Sequence, residues 1–137
     1  MTAAGWLMAF VLAGSGGDDD GAALGTLDGT SWSLAEGKGM SIRDGVTMTI
    51  AFTAARVSGS SGCNRFTGTY REDGESISLG PLAGTRMACA EEVMTAERAY
   101  LAALAEVASW SATAASLTLT NEAGAKLLRY EAERSRA

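Results

Sequence analysis

Apolar and polar residues alternate along much of the chain after residue 27, the pattern of strands that bury one face. The longest alternation covers residues 46–52 and places four apolar side chains on one face: Val46, Met48, Ile50 and Phe52. Weaker strand patterns occupy segments 30–34, 56–58, 66–70, 76–79, 117–120 and 126–130. Turn-forming residues fill 72–75 and 121–124, so we predict antiparallel hairpins there.

One segment, residues 91–107, departs from this pattern. It has no Gly or Pro, and its apolar residues follow spacings of three and four: Val93, Ala96, Tyr100, Leu104 and Val107. Glu91 and Glu92 lie at its start, where negative charge favours the helix dipole. We predict one helix of about four turns. Because long βαβ alternation is missing, the predicted fold class is mainly β (α+β), an antiparallel, strongly curved sheet or small barrel with one α-helix.

The first 26 residues differ from the rest. Residues 6–13 are apolar, too few to span a membrane but typical of the hydrophobic part of a secretory signal. Leu12-Ala13-Gly14 has the form that precedes a lipidated cysteine, but Ser15 follows and cannot form the thioether, so no lipidation site is predicted. Three alternatives remain: a signal with its basic start upstream or its cysteine replaced, a cleaved secretory signal, or an uncleaved cytosolic leader.

These features divide the chain into four parts. We predict a leader (1–15), a flexible Gly/Asp-rich tether (16–26), one folded domain (27–131) and a C-terminal tail (132–137).

Composition excludes several classes of function. The net charge is −5, with 11 basic and 16 acidic residues, and no basic patch suggests nucleic-acid binding. Histidine, the commonest general base and metal ligand, is absent from the sequence. The acidic run 18–20 lacks the spacing of a calcium loop, so we expect no metal site and no cofactor. The paired acids at 72/75 and 91/92 do not support acid–base catalysis, and we expect a protein without enzymatic activity.

Two motifs carry a family resemblance. The first contains Gly62, Cys63, Asn64, Phe66 and Gly68, and the second contains Thr85, Met87 and Cys89. With Trp32 in the opening strand, they make residues 27–131 resemble the META domain, the family that includes HslJ-like heat-inducible bacterial lipoproteins. The resemblance implies a small β-rich fold related to lipocalin-type barrels, in exported or surface-anchored proteins linked with stress response. It implies no catalytic residues.

The motif residues have structural interpretations. Two cysteines in an exported protein favour a Cys63–Cys89 disulfide, and the alternative is a pair of buried free thiols. For the disulfide we expect Cα atoms about 4.4–6.8 Å apart, with the helix start packed beside the 62–66 turn. Gly59, Gly62 and Gly68 are interpreted as sites of positive φ or close backbone approach, and Asn64 as a partner for backbone groups of its turn.

The leading functional hypothesis is a non-enzymatic, exported META-type domain of the cell envelope that acts through binding or supports envelope integrity under stress. We expect an extracytoplasmic monomer, anchored at most through its leader, whose partner is an unknown envelope protein or a small ligand. One alternative is a small-ligand carrier with a pocket of at least about 300 Å³ lined by Trp32, Phe52 and Trp110. Against it, only 38 apolar residues larger than alanine are available to build a core. A protein-binding or inhibitor module is the other alternative.

Overall fold

The period-two alternation produces strands over most of the chain. The computed structural model describes residues 22–42 and 45–133. Within them the strands are β1 (Thr30–Gly37), β2 (Thr49–Thr53), β3 (Arg56–Ser60), β4 (Arg65–Asp73), β5 (Ser76–Leu79), β6 (Ala83–Gly84), β7 (Ser109–Ala112), β8 (Ser116–Thr120) and β9 (Lys126–Ala132). A single described helix, α1 (Glu91–Ala105), lies between β6 and β7.

Eight of these strands close into an antiparallel barrel, which confirms the predicted fold class. Neighbours around the barrel are β1, β2, β3, β4, β5, β7, β8 and β9, and β9 pairs again with β1. The β3–β4 pairing, with Gly59 opposite Phe66, completes the ring. The two-residue strand β6 pairs with β4 outside the ring. The thinnest pairing is β5 with β7, where Ser76 faces Ser109.

Inward-facing residues of the strands and one face of α1 form a single buried cluster. The alternation predicted for residues 46–52 is confirmed from Met48 onward, since Met48, which forms an isolated bridge with Ser61, and Ile50 and Phe52 of β2 are buried. Val46 lies before the strand and is half-buried. From α1, Tyr100 and Leu104 join the same cluster. The helix therefore packs against the barrel core along the predicted stripe.

The interior is filled at the three positions that a ligand carrier would use. Trp32, Phe52 and Trp110 are 2%, 0% and 4% exposed. Trp110 borders an open surface groove of about 410 Å³, but neither Trp32 nor Phe52 lines that groove. The carrier hypothesis therefore lacks the lining that it requires.

Several details differ from the predicted elements. Strands β6 and β7 were not predicted. β6 has only two residues, and β7 has the sequence Ser-Trp-Ser-Ala, so neither carries a strong strand signal. Helix α1 ends at Ala105, where the chain tightens as Glu106 N–H bonds to the Ala103 carbonyl at 3.0 Å.

The chain contacts the barrel before residue 27. Ala23 forms an isolated bridge with Thr113, and Leu24 N–H donates to the Ala112 carbonyl at 2.8 Å. At the other end, Ala132 belongs to β9 and lies opposite Trp32. The leader, most of the tether and residues 134–137 lie outside the described residues. Among the described helices, none is long and apolar enough to cross a membrane.

Candidate functional site

The two sequence motifs meet at one corner of the barrel. We call this corner the motif junction; it comprises Ser61, Gly62, Cys63, Asn64, Thr85, Met87, Cys89 and Glu97. Cys63, in the β3–β4 connection, is bonded to Cys89, two residues before α1, with their Cα atoms 6.0 Å apart. The predicted disulfide is thus present and ties the first motif to the start of the helix. As expected, α1 begins beside the turn, because a Cβ added to Gly62 would lie 3.7 Å from Val93 Cγ1.

Asn64 joins the motifs a second time through its amide. Its Oδ1 accepts hydrogen bonds from Met87 N–H at 2.6 Å and from the Thr85 hydroxyl at 2.9 Å. Its Nδ2 donates to the Met87 carbonyl at 3.3 Å. The side chain therefore satisfies both backbone groups of Met87, as a neighbouring strand would. The sequence interpretation was right about backbone partners but wrong about their location, because they belong to the second motif.

Glu97 on α1 lies at the centre of the junction and is 6% exposed. Its Oε1 accepts from the Ser61 hydroxyl at 2.8 Å, Asn64 N–H at 2.8 Å and Cys63 N–H at 3.1 Å. Its Oε2 accepts from Asn64 Nδ2 at 2.7 Å. One carboxylate thus binds the turn of the first motif through four donors.

These donors keep Glu97 ionised. Burial raises the pKa of this carboxyl, but the hydrogen bonds from Asn64, Ser61 and Cys63 together outweigh burial and lower the pKa below its ordinary value. An ionised acceptor with its oxygens occupied is suited to anchoring a turn. It is poorly suited to act as a general acid.

Glu97 was not among the predicted site residues, although its position in the sequence carried a signal. Position 97 follows Val93 by four residues and precedes Tyr100 by three, so it falls on the apolar face of the helix. A charged residue on a buried helical face needs a partner. That partner could have been sought in the Gly-Cys-Asn turn.

Glycine is required at two motif positions, as predicted. Gly62 has φ +115°, a conformation that L side chains rarely adopt. At Gly68, an added Cβ would lie 2.8 Å from the Pro81 carbonyl oxygen and 2.8 Å from Leu82 Cδ2. The chain at Pro81 and Leu82, leading into the second motif, therefore passes so close to β4 that a side chain at position 68 would displace it.

The remaining motif residues support the junction or lie elsewhere. Phe66 is buried, with its ring centroid 6.2 Å from that of Tyr100. Thr85 Oγ1 accepts from Arg65 N–H at 3.1 Å. The Met87 side chain is exposed, at 54%, while its backbone is held by Asn64. Trp32 lies outside the junction in β1.

A buried tyrosine pair adds a second polar contact between α1 and the barrel. The Tyr100 and Tyr130 hydroxyls are 2.9 Å apart, and the Tyr100 hydroxyl donates to the Thr49 carbonyl at 3.1 Å. Burial raises the pKa of both phenols, so both stay protonated. Among the described residues, no group of three or more Cys, Asp and Glu side chains is arranged to hold a metal ion.

Fold and junction together define a small antiparallel barrel carrying one helix, in which two motifs are joined by a disulfide and a buried carboxylate. The sequence model of the META domain family matches residues 25–134. The chain therefore belongs to the META domain family.

Solved structures agree with this assignment. A protein from Burkholderia xenovorans solved by NMR is 30% identical, with a TM-score of 0.65 over 80% of this chain and 85% of that one. A second NMR structure is 29% identical, with a TM-score of 0.61 over 77% of this chain and 90% of that one. A DUF4847 family protein from Bacteroides vulgatus shares the fold at 14% identity, with a TM-score of 0.57 over 80% and 96% of the two chains. No curated protein matches the sequence.

Proposed function

We propose that this META domain is a non-enzymatic, exported domain of the bacterial cell envelope that acts through binding and supports the envelope under stress. The observation that carries the proposal is the Cys63–Cys89 disulfide at the motif junction. Cys89 is exposed and Cys63 is half-buried, so cellular thiols can reach the bond. Disulfides persist in oxidising compartments and are rare in the cytosol, where they are reduced. A bond that organises the family motif therefore favours a location outside the cytoplasm.

The sequence supports the same location. The apolar segment 6–13 has the length of a signal's hydrophobic part. Two of the similar solved structures come from bacteria, Burkholderia xenovorans and Bacteroides vulgatus. The stress role comes from the resemblance to HslJ-like proteins.

A binding role without catalysis suits the chemistry of the junction. Its thiols are joined in the disulfide, and Glu97 already accepts four hydrogen bonds. The junction therefore acts as a structural crosslink between the two motifs, and recognition uses the barrel surface. We propose a monomer whose partner is an envelope protein or a small ligand, with any membrane attachment made through the leader.

Export is tested by fractionating bacteria that express the full chain. Leu7→Arg interrupts the apolar segment, and Ala22→Arg is the matched control, because it adds the same charge outside it. We expect wild type and Ala22→Arg in the envelope or the medium, and Leu7→Arg in the cytoplasm with free thiols. Wild-type protein found only in the cytoplasm, with both cysteines free, would contradict export.

The stress role is tested separately in a deletion strain challenged with heat and with envelope-active antibiotics. We expect reduced survival that is restored by wild type and Ala22→Arg but not by Leu7→Arg. Survival equal to that of the parent strain under every challenge would contradict this role while leaving export standing.

A further inference from the structure

An open groove of about 720 Å³ lies near one end of the barrel, away from the motif junction. It forms where β1 begins, β2 turns into β3, and β4 runs beside β5. The residues that matter for its chemistry are Asp28, Ala54, Ala55, Tyr70, Arg71 and Glu72. We call it the β4 groove.

Tyr70 supplies a polar group that has no hydrogen-bond partner among the described residues. Its side chain is 8% exposed, and its ring packs edge-on against Phe52 with centroids 4.9 Å apart. Buried tyrosine hydroxyls usually find a hydrogen-bond partner. Among the described residues the Tyr70 hydroxyl has none, yet no fully enclosed side-chain polar atom there is left unsatisfied. The hydroxyl therefore keeps contact with solvent, and Tyr70 lines the β4 groove.

Two carboxylates in the groove are held in place before any ligand arrives. Asp28 Oδ1 accepts from Ala54 N–H at 2.8 Å. Glu72 accepts from the Thr26 hydroxyl at 2.7 Å and from Leu27 N–H at 3.1 Å. Because these side chains are already ordered, a ligand that uses them has less conformational entropy to overcome.

The charge of the groove favours a cation. Asp28 and Glu72 line the groove together with Tyr70. Burial, followed by the charges of Glu72 and Asp28, raises the pKa of Tyr70. Arg71 is the one cation among the lining residues. Its charge offsets one of the two carboxylates, so the lining keeps a net charge of −1. The hydroxyl thus lies in a negative field.

We propose that the β4 groove binds a small organic cation, a primary amine or polyamine, whose ammonium group donates to the Tyr70 hydroxyl between the carboxylates of Asp28 and Glu72. An ammonium group carries three donors and a positive charge, and this set offers acceptors and negative charge. The proposal deepens the binding role proposed above and can be tested independently of export.

The test titrates the purified, oxidised full chain with putrescine and spermidine, followed by NMR chemical shifts. The uncharged control ligand is 1,4-butanediol, which has the length of putrescine without its charge. We expect saturable shifts at groove residues with both amines, weakening as salt is added, and none with butanediol.

Three variants separate the contacts. Tyr70→Phe removes only the hydroxyl, and Asp28→Asn removes the charge while keeping an oxygen that can accept from Ala54 N–H. Each is expected to weaken putrescine binding about five-fold, and Glu122→Gln, an equal charge loss outside the groove, is expected to leave it unchanged.

Three results would overturn the proposal. The first is no saturable binding of either amine. The second is butanediol binding as tightly as putrescine, which would indicate a site for neutral polyols. The third is wild-type affinity in folded Tyr70→Phe and Asp28→Asn. None of them bears on the cellular compartment, and a cytoplasmic location would leave the titration unaffected.

Discussion

Replacing Glu97 by glutamine tests whether the buried carboxylate holds the motif junction together. Glutamine keeps the size of the side chain but exchanges one acceptor oxygen for an NH₂ donor. Three donors converge on Oε1 and a fourth, Asn64 Nδ2, on Oε2. With the glutamine oxygen in the place of Oε1, its NH₂ group faces the NH₂ group of Asn64. The hydrogen bond from Asn64 Nδ2 is lost, and the other three hydrogen bonds no longer have a charged acceptor.

The expected destabilisation follows from these four contacts. A hydrogen bond to a charged group contributes about 1.5–3 kcal/mol, roughly twice a neutral one, and an unsatisfied buried donor costs about 1–3 kcal/mol. Part of this is offset because glutamine is cheaper to bury than a carboxylate. We expect Glu97→Gln to lower the free energy of unfolding by about 3 kcal/mol at pH 7. Glu92→Gln, on an exposed position in the first turn of the same helix, is the matched control; it loses only its interaction with the helix dipole and should change the free energy by less than about 1 kcal/mol.

Urea unfolding of the oxidised protein, followed by tryptophan fluorescence, measures both variants. The pKa of Glu97 is lower in the folded than in the unfolded state, where it is about 4.3. Its contribution is therefore complete above the unfolded value and is lost as the pH falls through the folded one. Wild type should lose more stability than Glu97→Gln between pH 6 and pH 3. Equal stability of Glu97→Gln and Glu92→Gln at pH 7, or equal acid losses in Glu97→Gln and wild type, would refute this reasoning.

Three further changes probe the disulfide, a close approach and a strained turn. The double variant Cys63→Ser, Cys89→Ser should lower the unfolding free energy by about 3.5 kcal/mol, since the bond joins residues 26 positions apart. Urea unfolding of the oxidised wild type and of the variant, each extrapolated with its own m-value, measures this difference. Gly68→Ala should destabilise by about 1–3 kcal/mol because Pro81 and Leu82 leave no room for a Cβ, and an unchanged melting temperature would contradict it. Ala55→Gly, at φ +70°, should raise the unfolding free energy by about 0.5–1 kcal/mol, and calorimetry showing a lower melting temperature would contradict it.

Local patterns made much of the fold predictable. The alternation from Val46 to Phe52 and the three-and-four spacing from Val93 to Leu104 each reflect one buried face, which is a local property of sequence. The turn residues of 72–75 also gave the β4–β5 hairpin, in which Asp73 lies opposite Ser76. Strand β7 was not predicted because its short alternation of serine, tryptophan and alanine resembles a loop.

The site was less predictable because its contacts join distant residues. Glu97 binds Asn64 across 33 positions, and Asn64 binds Met87 across 23. The spacing of residues within either motif does not reveal that Asn64 binds Glu97 or Met87. The motifs showed which residues matter, and the disulfide followed from the cysteine count. The sequence signalled Glu97 only as a charged residue on the apolar face of the helix, and its partners became visible once α1 was placed against the β3–β4 turn.

The central claim is that the Cys63–Cys89 disulfide of the motif junction forms in an oxidising compartment. The redox state of the two cysteines in the cell tests this claim most directly. Cells expressing the full chain are quenched in acid, free thiols are alkylated without reductant, and tryptic peptides are measured by mass spectrometry. Cleavage after Arg56, Arg65, Arg86 and Arg98 leaves Cys63 in peptide 57–65 and Cys89 in peptide 87–98. We predict that these peptides are recovered joined to each other and free of alkylation. Recovery of both as separate, alkylated peptides would contradict the account.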